Sequence, residues 1–218
     1  MPNQFDLIVW DWDGTLADST SMITKAVLKA AEQVGLPTIS AQTASNIIGL
    51  GLGEAIHALY GDIPAGQAQA FSAQYTSNYH AGESEIPLFA DAAETIMALN
   101  KRGFKLAVAT GKGRRGLNLA LEHCGLAHYF HSTRTVDECF SKPHPQMLDE
   151  LMEHFVTLPE RTLMIGDTSY DLQMAKNAGV SSVGVTYGAQ PAEQWQHLNP
   201  IQQFDDFASL SKWLLEHA

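Results

Sequence analysis

Five short apolar runs, separated by long amphipathic stretches, set the strongest limit on what this chain can fold into. They cover residues 5–10, 105–109, 129–132, 162–165 and 182–186. Each has the length of a strand and is rich in Val, Ile, Phe or Leu. Strands alternating with helices lead to a parallel sheet with helices on both faces, because each crossover must pack back on the sheet. The spacing is uneven: about 94 residues separate the first run from the second, far more than one crossover helix requires. Within that gap Met22, Ala26, Val27, Ala30 and Val34 fall at helical spacing, and Gly35-Leu36-Pro37 stops the helix. Further helices are expected over 40–48, 52–60 and 65–79, broken by Gly49, Gly51, Gly61 and Pro64. The expected fold class is α/β: a Rossmann-like parallel sheet core with helices on both faces, plus an inserted all-α cap domain. Residues 1–18 and 86–218 would form the core and 19–85 the cap. An insertion at this point lies over the carboxyl end of the sheet, where open α/β folds bind ligands.

Later in the chain, helices are expected over 114–123, 145–155 and 170–178. A short edge strand over 201–204 and a closing helix over 207–216 follow. That helix places Phe207, Leu210, Trp213 and Leu214 on one face.

Charge narrows the partners. Asp and Glu number 24 against 13 Lys and Arg, a net charge of −11. Such a balance argues against nucleic acid, which needs clustered Lys and Arg. It leaves an anionic substrate open, since a metal ion inverts the local field. No apolar run approaches the length of about 18 residues needed to span a membrane. The N-terminus lacks the basic stretch and apolar core of a secretion signal. Cys124 and Cys139 read as free thiols in a reducing compartment. A cytoplasmic protein, monomeric or weakly dimeric, is expected.

Polar residues gather where the strands end. The first run leads into Asp11-Trp12-Asp13-Gly14-Thr15. Carboxylates two residues apart face the same way in an extended chain, and Gly14 lets the backbone turn and expose its amides. Close carboxylates repel unless a cation or shared proton joins them, and Mg²⁺ suits oxygen ligands and phosphate oxygens alike. An ordinary Asp-Gly turn is the plainer alternative. The second run ends in Thr110-Gly111-Lys112, a hydroxyl suited to hold a phosphate oxygen or simply to cap a helix. Pro143 keeps Lys142 out of a helical conformation, so its ammonium either projects inward or is solvated surface. The fourth run ends in Gly166-Asp167-Thr168-Ser169-Tyr170-Asp171. Asp167 at the strand end and Asp171 in the first helical turn would either serve that helix or join Asp11 and Asp13 at one edge of the sheet. His128, His131, His144 and His154 show no zinc-motif spacing. In the cap, His57, Tyr60, Tyr75 and Tyr79 either touch substrate or pack.

The four segments Asp11–Ser19, Val108–Lys112, Ser141–Pro143 and Ile165–Asp171, taken in order, resemble the motifs of the haloacid dehalogenase-like hydrolases. They are most similar to the phosphoglycolate-phosphatase-like subgroup with a helical cap between the first two motifs. The resemblance implies a Mg²⁺-dependent phosphatase acting on a small phosphorylated metabolite: a phosphoglycolate-like ester, sugar phosphate, nucleotide or pyrophosphate. It implies that Asp11 is the nucleophile and forms an aspartyl-phosphate. Asp13 would be the general acid and base. Gly14, Thr110, Gly111 and Lys142 would bind the phosphoryl group. Asp11, the Asp13 carbonyl and Asp167 would hold Mg²⁺, with Asp171 orienting Lys142 or a metal-bound water. Three departures stand out: Trp12 between the aspartates, where only packing should change; Gly111 where Asn is frequent; and Leu88-Phe89-Ala90-Asp91-Ala92, without the usual Pro-Gly, where the chain leaves the cap. A phosphosugar mutase on the same core and a catalytically idle phosphate-binding protein are the alternatives. Lys25 and Lys29 are the only cations from Ser19 to Glu85, which argues against a highly charged leaving group.

Overall fold

The computed structural model describes residues 4–82 and 86–218. Six strands form one parallel sheet: β1 (Leu7–Trp10), β2 (Lys105–Thr110), β3 (Ser132–Thr135), β4 (Thr162–Gly166), β5 (Ser181–Val185) and β6 (Gln202–Phe204). Their order is β3-β2-β1-β4-β5-β6, and every pairing is parallel. All four residues of β1 are fully buried, as a central parallel strand covered on both faces must be.

The two faces of β1 feed separate cores. Ile8 and Trp10 join a cluster with Ile96, Leu117 and Leu210, carried by α5 (Ala92–Lys101), α6 (Arg114–His123) and α9 (Phe207–His217). Leu7 and Val9 pack with Leu148, Leu151 and Met174 of α7 (Gln146–Phe155) and α8 (Ser169–Asn177). Trp12 is 3% exposed within the first cluster, the packing position expected of it.

Between β1 and α5 lies the helical insertion: α1 (Thr20–Gln33), α2 (Ala41–Ser45), α3 (Leu52–Tyr60) and α4 (Ala65–His80). These helices bury a cluster of their own, including Ile23, Val27, Ile56 and Phe71. Where the chain leaves the core and returns, Asp18 N donates to the Pro87 carbonyl and Phe89 N to the Leu16 carbonyl, both at 2.9 Å. The expected boundary at Glu85 lies outside the described residues. Asp91, just before α5, has φ 65°, the left-handed backbone that glycine adopts at least cost.

Two expectations need correction, and one helix is additional to them. The third strand is Ser132–Thr135 rather than 129–132, because Tyr129 N bonds back to Leu126 O in a turn. The second cap helix ends at Ser45 rather than residue 48. Helix α5 was not distinguished, although Ala92, Ile96 and Leu99 share its buried face.

Candidate active site

Strand register gathers the site. Trp10 pairs with Val108 of β2 and with Ile165 of β4, so the residues following these strands emerge side by side. Asp11 N donates to Ile165 O at 2.9 Å, which seats Asp11 beside the Gly166-Asp167 turn. Thr110 is the last residue of β2 and is 1% exposed. It caps no helix: α6 begins at Arg114 with Gly113 as its cap residue. Instead Thr110 Oγ1 accepts from Lys112 N at 3.1 Å.

Lys142 is 1% exposed, so the surface alternative is ruled out. Its Nζ donates to Asp11 Oδ1 and to Asp171 Oδ1, each at 2.5 Å. Asp171 serves the helix as well: its Oδ2 accepts from Thr168 N at 3.1 Å and from Thr168 Oγ1 at 2.6 Å. This capping arrangement fixes the carboxylate that fixes Lys142. Asp167 accepts from Thr15 Oγ1 at 2.9 Å and from Ala189 N at 2.6 Å. The other oxygen of Asp11, Oδ2, is buried and has no hydrogen-bond partner.

Charge balance is the main electrostatic fact. Carboxylate oxygens of Asp11, Asp167 and Asp171 lie within 4.8 Å of one another, all buried. Lys142 supplies one ammonium, so the fully ionised cluster carries an excess of two negative charges. Burial, aided by Asp171, pushes the Asp167 carboxyl up to about 7 despite its two donors. Burial likewise raises Asp11 well above the carboxylate range; Lys142 opposes this, and Asp171 and Asp167 reinforce it. Burial disfavours the Lys142 cation, but Asp11 and Asp171 outweigh it and hold Lys142 above the ordinary range. A divalent cation fits this demand in sign and magnitude, and three clustered buried carboxylates are the hard oxygen donors it takes.

Asp13 stands apart from that cluster. Its Oδ1 accepts from Ser19 Oγ at 2.8 Å and lies 3.5 Å from Lys112 Nζ. Lys112 in turn donates to the cap residue Tyr79 OH at 2.6 Å. Spacing along the chain singles out neither Ser19 nor Lys112 as a partner of Asp13; Lys112 reaches it because β1 and β2 are paired neighbours. The expectation for Gly14 requires correction: its amide donates to Ala17 O at 2.9 Å and is not exposed to a ligand. Gly14 serves the turn instead. Its φ is 91°, and a Cβ there would collide with the Asp167 carboxylate. Gly188 packs as closely on Asp167, a contact no spacing in the sequence announced.

The loop between α2 and α3 spans the mouth. Asn46 O accepts from Tyr170 OH at 3.1 Å and from Gln190 Nε2 at 3.0 Å. Ser45 Oγ donates to Ala189 O at 3.0 Å, and Gly51 N to Ser141 Oγ at 2.9 Å. The same loop crosses Gly111, where a Cβ would strike the Gly49 carbonyl and lie 2.7 Å from the Leu50 carbonyl. The absence of a larger residue at 111 is therefore a clearance for the cap backbone. A cavity of about 400 Å³ remains beneath, with Asp11, Asp13, Thr110 and Lys112 on its core side. His131 and His144 are engaged elsewhere: His131 Nδ1 accepts from Leu106 N, and His144 Nδ1 from Gln146 N.

Known proteins place this geometry in context. A family model for haloacid dehalogenase-like hydrolases matches residues 8–185. The chain is 32% identical to a phosphoglycolate phosphatase from Vibrio cholerae, over 97% of this chain and 98% of that protein. It is 31% identical to a Dickeya dadantii protein named Probable phosphatase IndB, over 94% of this chain and 91% of that one. Among solved structures, a predicted phosphoglycolate phosphatase from Haemophilus somnus superposes with a TM-score of 0.83 at 28% identity, covering 97% and 99% of the two chains.

Proposed function

The chain belongs to the haloacid dehalogenase-like hydrolases, and on that premise we propose that it is a Mg²⁺-dependent phosphatase of small phosphorylated metabolites. The observation that carries this reading is the state of Asp11: Oδ1 is held by Lys142, Oδ2 has no partner, and the residue lines the cavity. A carboxylate so held presents one oxygen in a fixed direction, which an in-line displacement requires.

In the proposed reaction Asp11 attacks phosphorus, the bond to the leaving oxygen breaks, and Asp13 gives that oxygen a proton. Asp13 then takes a proton from water, whose oxygen attacks the phosphorus and releases inorganic phosphate with Asp11 restored. Lys142 neutralises charge on Asp11 and the transferring group, while Thr110 donates to a phosphoryl oxygen. Asp11, Asp167 and the Asp13 carbonyl would hold Mg²⁺, which supplies charge neutralisation for the phosphoryl oxygens. Asp171 positions Lys142. Residues 19–85 act as a cap that excludes water.

The test is hydrolysis of p-nitrophenyl phosphate with Mg²⁺ and no bisphosphate activator. Phosphate release by the native chain, abolished in Asp11→Asn with the fold intact, is the expected result. Undiminished activity in that variant would overturn the assignment.

A further inference from the structure

Beyond the phosphoryl site the cap side of the cavity is mostly apolar, with Thr76, Tyr79 and His80 as its polar members. Its cap side is built from Ile47, Ile48, Leu52, Leu59, Phe71 and Tyr75, with further aliphatic groups from α1. Neither Lys25 nor Lys29, the cap's only Lys or Arg residues, lines it. His80 is the one cap side chain among the described lining residues able to carry positive charge.

Of the core-side cations, Lys112 is already engaged. Lys112 Nζ lies 3.5 Å from Asp13 Oδ1, donates to Tyr79 OH, and sits 4.3 Å from the Tyr79 ring centre. Arg115, exposed, and Asp137 contribute opposite charges to the lining. A carboxylate carried into this chamber would lose its water shell against hydrocarbon and ring faces, a cost that only a charged or hydrogen-bonding partner offsets. An apolar group gains from the same wall.

We infer that the leaving group of the natural substrate is uncharged and largely apolar, an aromatic or branched hydrocarbon alcohol rather than a carboxylate such as glycolate. The inference rests on the phosphatase reading above and specifies its substrate class. It also separates this chain from the activity in the name of its Vibrio cholerae relative.

Benzyl phosphate and 2-phosphoglycolate test it directly. Both are primary alkyl monoesters, so the reaction at phosphorus is shared and only the cavity's occupant differs. With purified enzyme and Mg²⁺, kcat/KM should favour benzyl phosphate by about tenfold or more, the discrimination an apolar pocket achieves. Leu52→Arg, placing a cation in the cap wall, should move the ratio toward 2-phosphoglycolate. A native ratio at or below one overturns the substrate assignment and leaves the phosphatase standing. Hydrolysis of neither ester, nor of p-nitrophenyl phosphate, overturns the phosphatase reading and the substrate class with it.

Discussion

Lys142 Nζ donates to Asp11 Oδ1 at 2.5 Å in a pocket where both residues are 1% exposed. Asp171 completes the arrangement from the other side of the ammonium. Removing the cation leaves two carboxylates buried without their shared partner. Lys142→Met should therefore lose turnover and about 3–5 kcal/mol of stability, the usual cost of breaking a buried pair from one side. Urea unfolding without divalent ions measures it. A variant as stable as the native chain would contradict the ion-pair account.

Addition of Mg²⁺ to chelator-treated protein should raise the unfolding midpoint, because it answers the excess negative charge of Asp11, Asp167 and Asp171. At a concentration near 100 times Kd the gain should be about 2.7 kcal/mol. Asp167→Asn should abolish most of it. Asp13→Asn should retain most of it, since a backbone carbonyl is the ligand assigned at residue 13. An unchanged Mg²⁺ response in Asp167→Asn would exclude that carboxylate as a ligand.

Gly111→Ala tests the seating of the cap. The new methyl would meet backbone carbonyls of Gly49 and Leu50, which cannot swing aside as a flexible side chain does. Catalytic efficiency should fall by up to about 100-fold through misplacement of the loop over the site. The thermal midpoint of the core should change little. Full activity in Gly111→Ala would show that this close approach is dispensable.

Gln190 ties the cap to the core from a buried position, 2% exposed. Its amide donates to Asn46 O at 3.0 Å, and its Oε1 accepts from Ser169 N at 2.7 Å. Gln190→Ala leaves the Ser169 amide without that acceptor and should cost about 1–3 kcal/mol, read from denaturant unfolding. A loss below a few tenths of a kcal/mol would mean that the bonds are replaced by solvent.

The succession of strands and helices, and the polar residues at the strand ends, were legible because they depend on local patterns. Leu7–Trp10 is continuously apolar, and the residue after it falls at the sheet edge by geometry alone. The strand Ser132–Thr135 was not, since Ser-Thr-Arg-Thr at the outer position β3 carries no apolar run. Helix α5 follows Asp91 with Glu94 three residues on, a pattern that marks a helix start in the sequence, although Asp91 makes no side-chain cap bond. A glycine turn after Asp13 suggests an exposed amide at Gly14. Only the fold shows Ala17 O accepting a hydrogen bond from that N–H. The Lys112–Asp13 approach follows from the pairing of β1 with β2, and the Gly111–Gly49 approach from docking the insertion over the sheet; no spacing along the chain encodes either.

The central claim is that Asp11 takes up the phosphoryl group. Acid quenching of Asp13→Asn during turnover of p-nitrophenyl phosphate, followed by peptide mass spectrometry, tests it most directly. Without Asp13 to activate water, phosphate should accumulate on the peptide containing Asp11, and fragmentation should place it on that residue. Phosphate on another residue, or turnover that survives in Asp11→Asn, would contradict it.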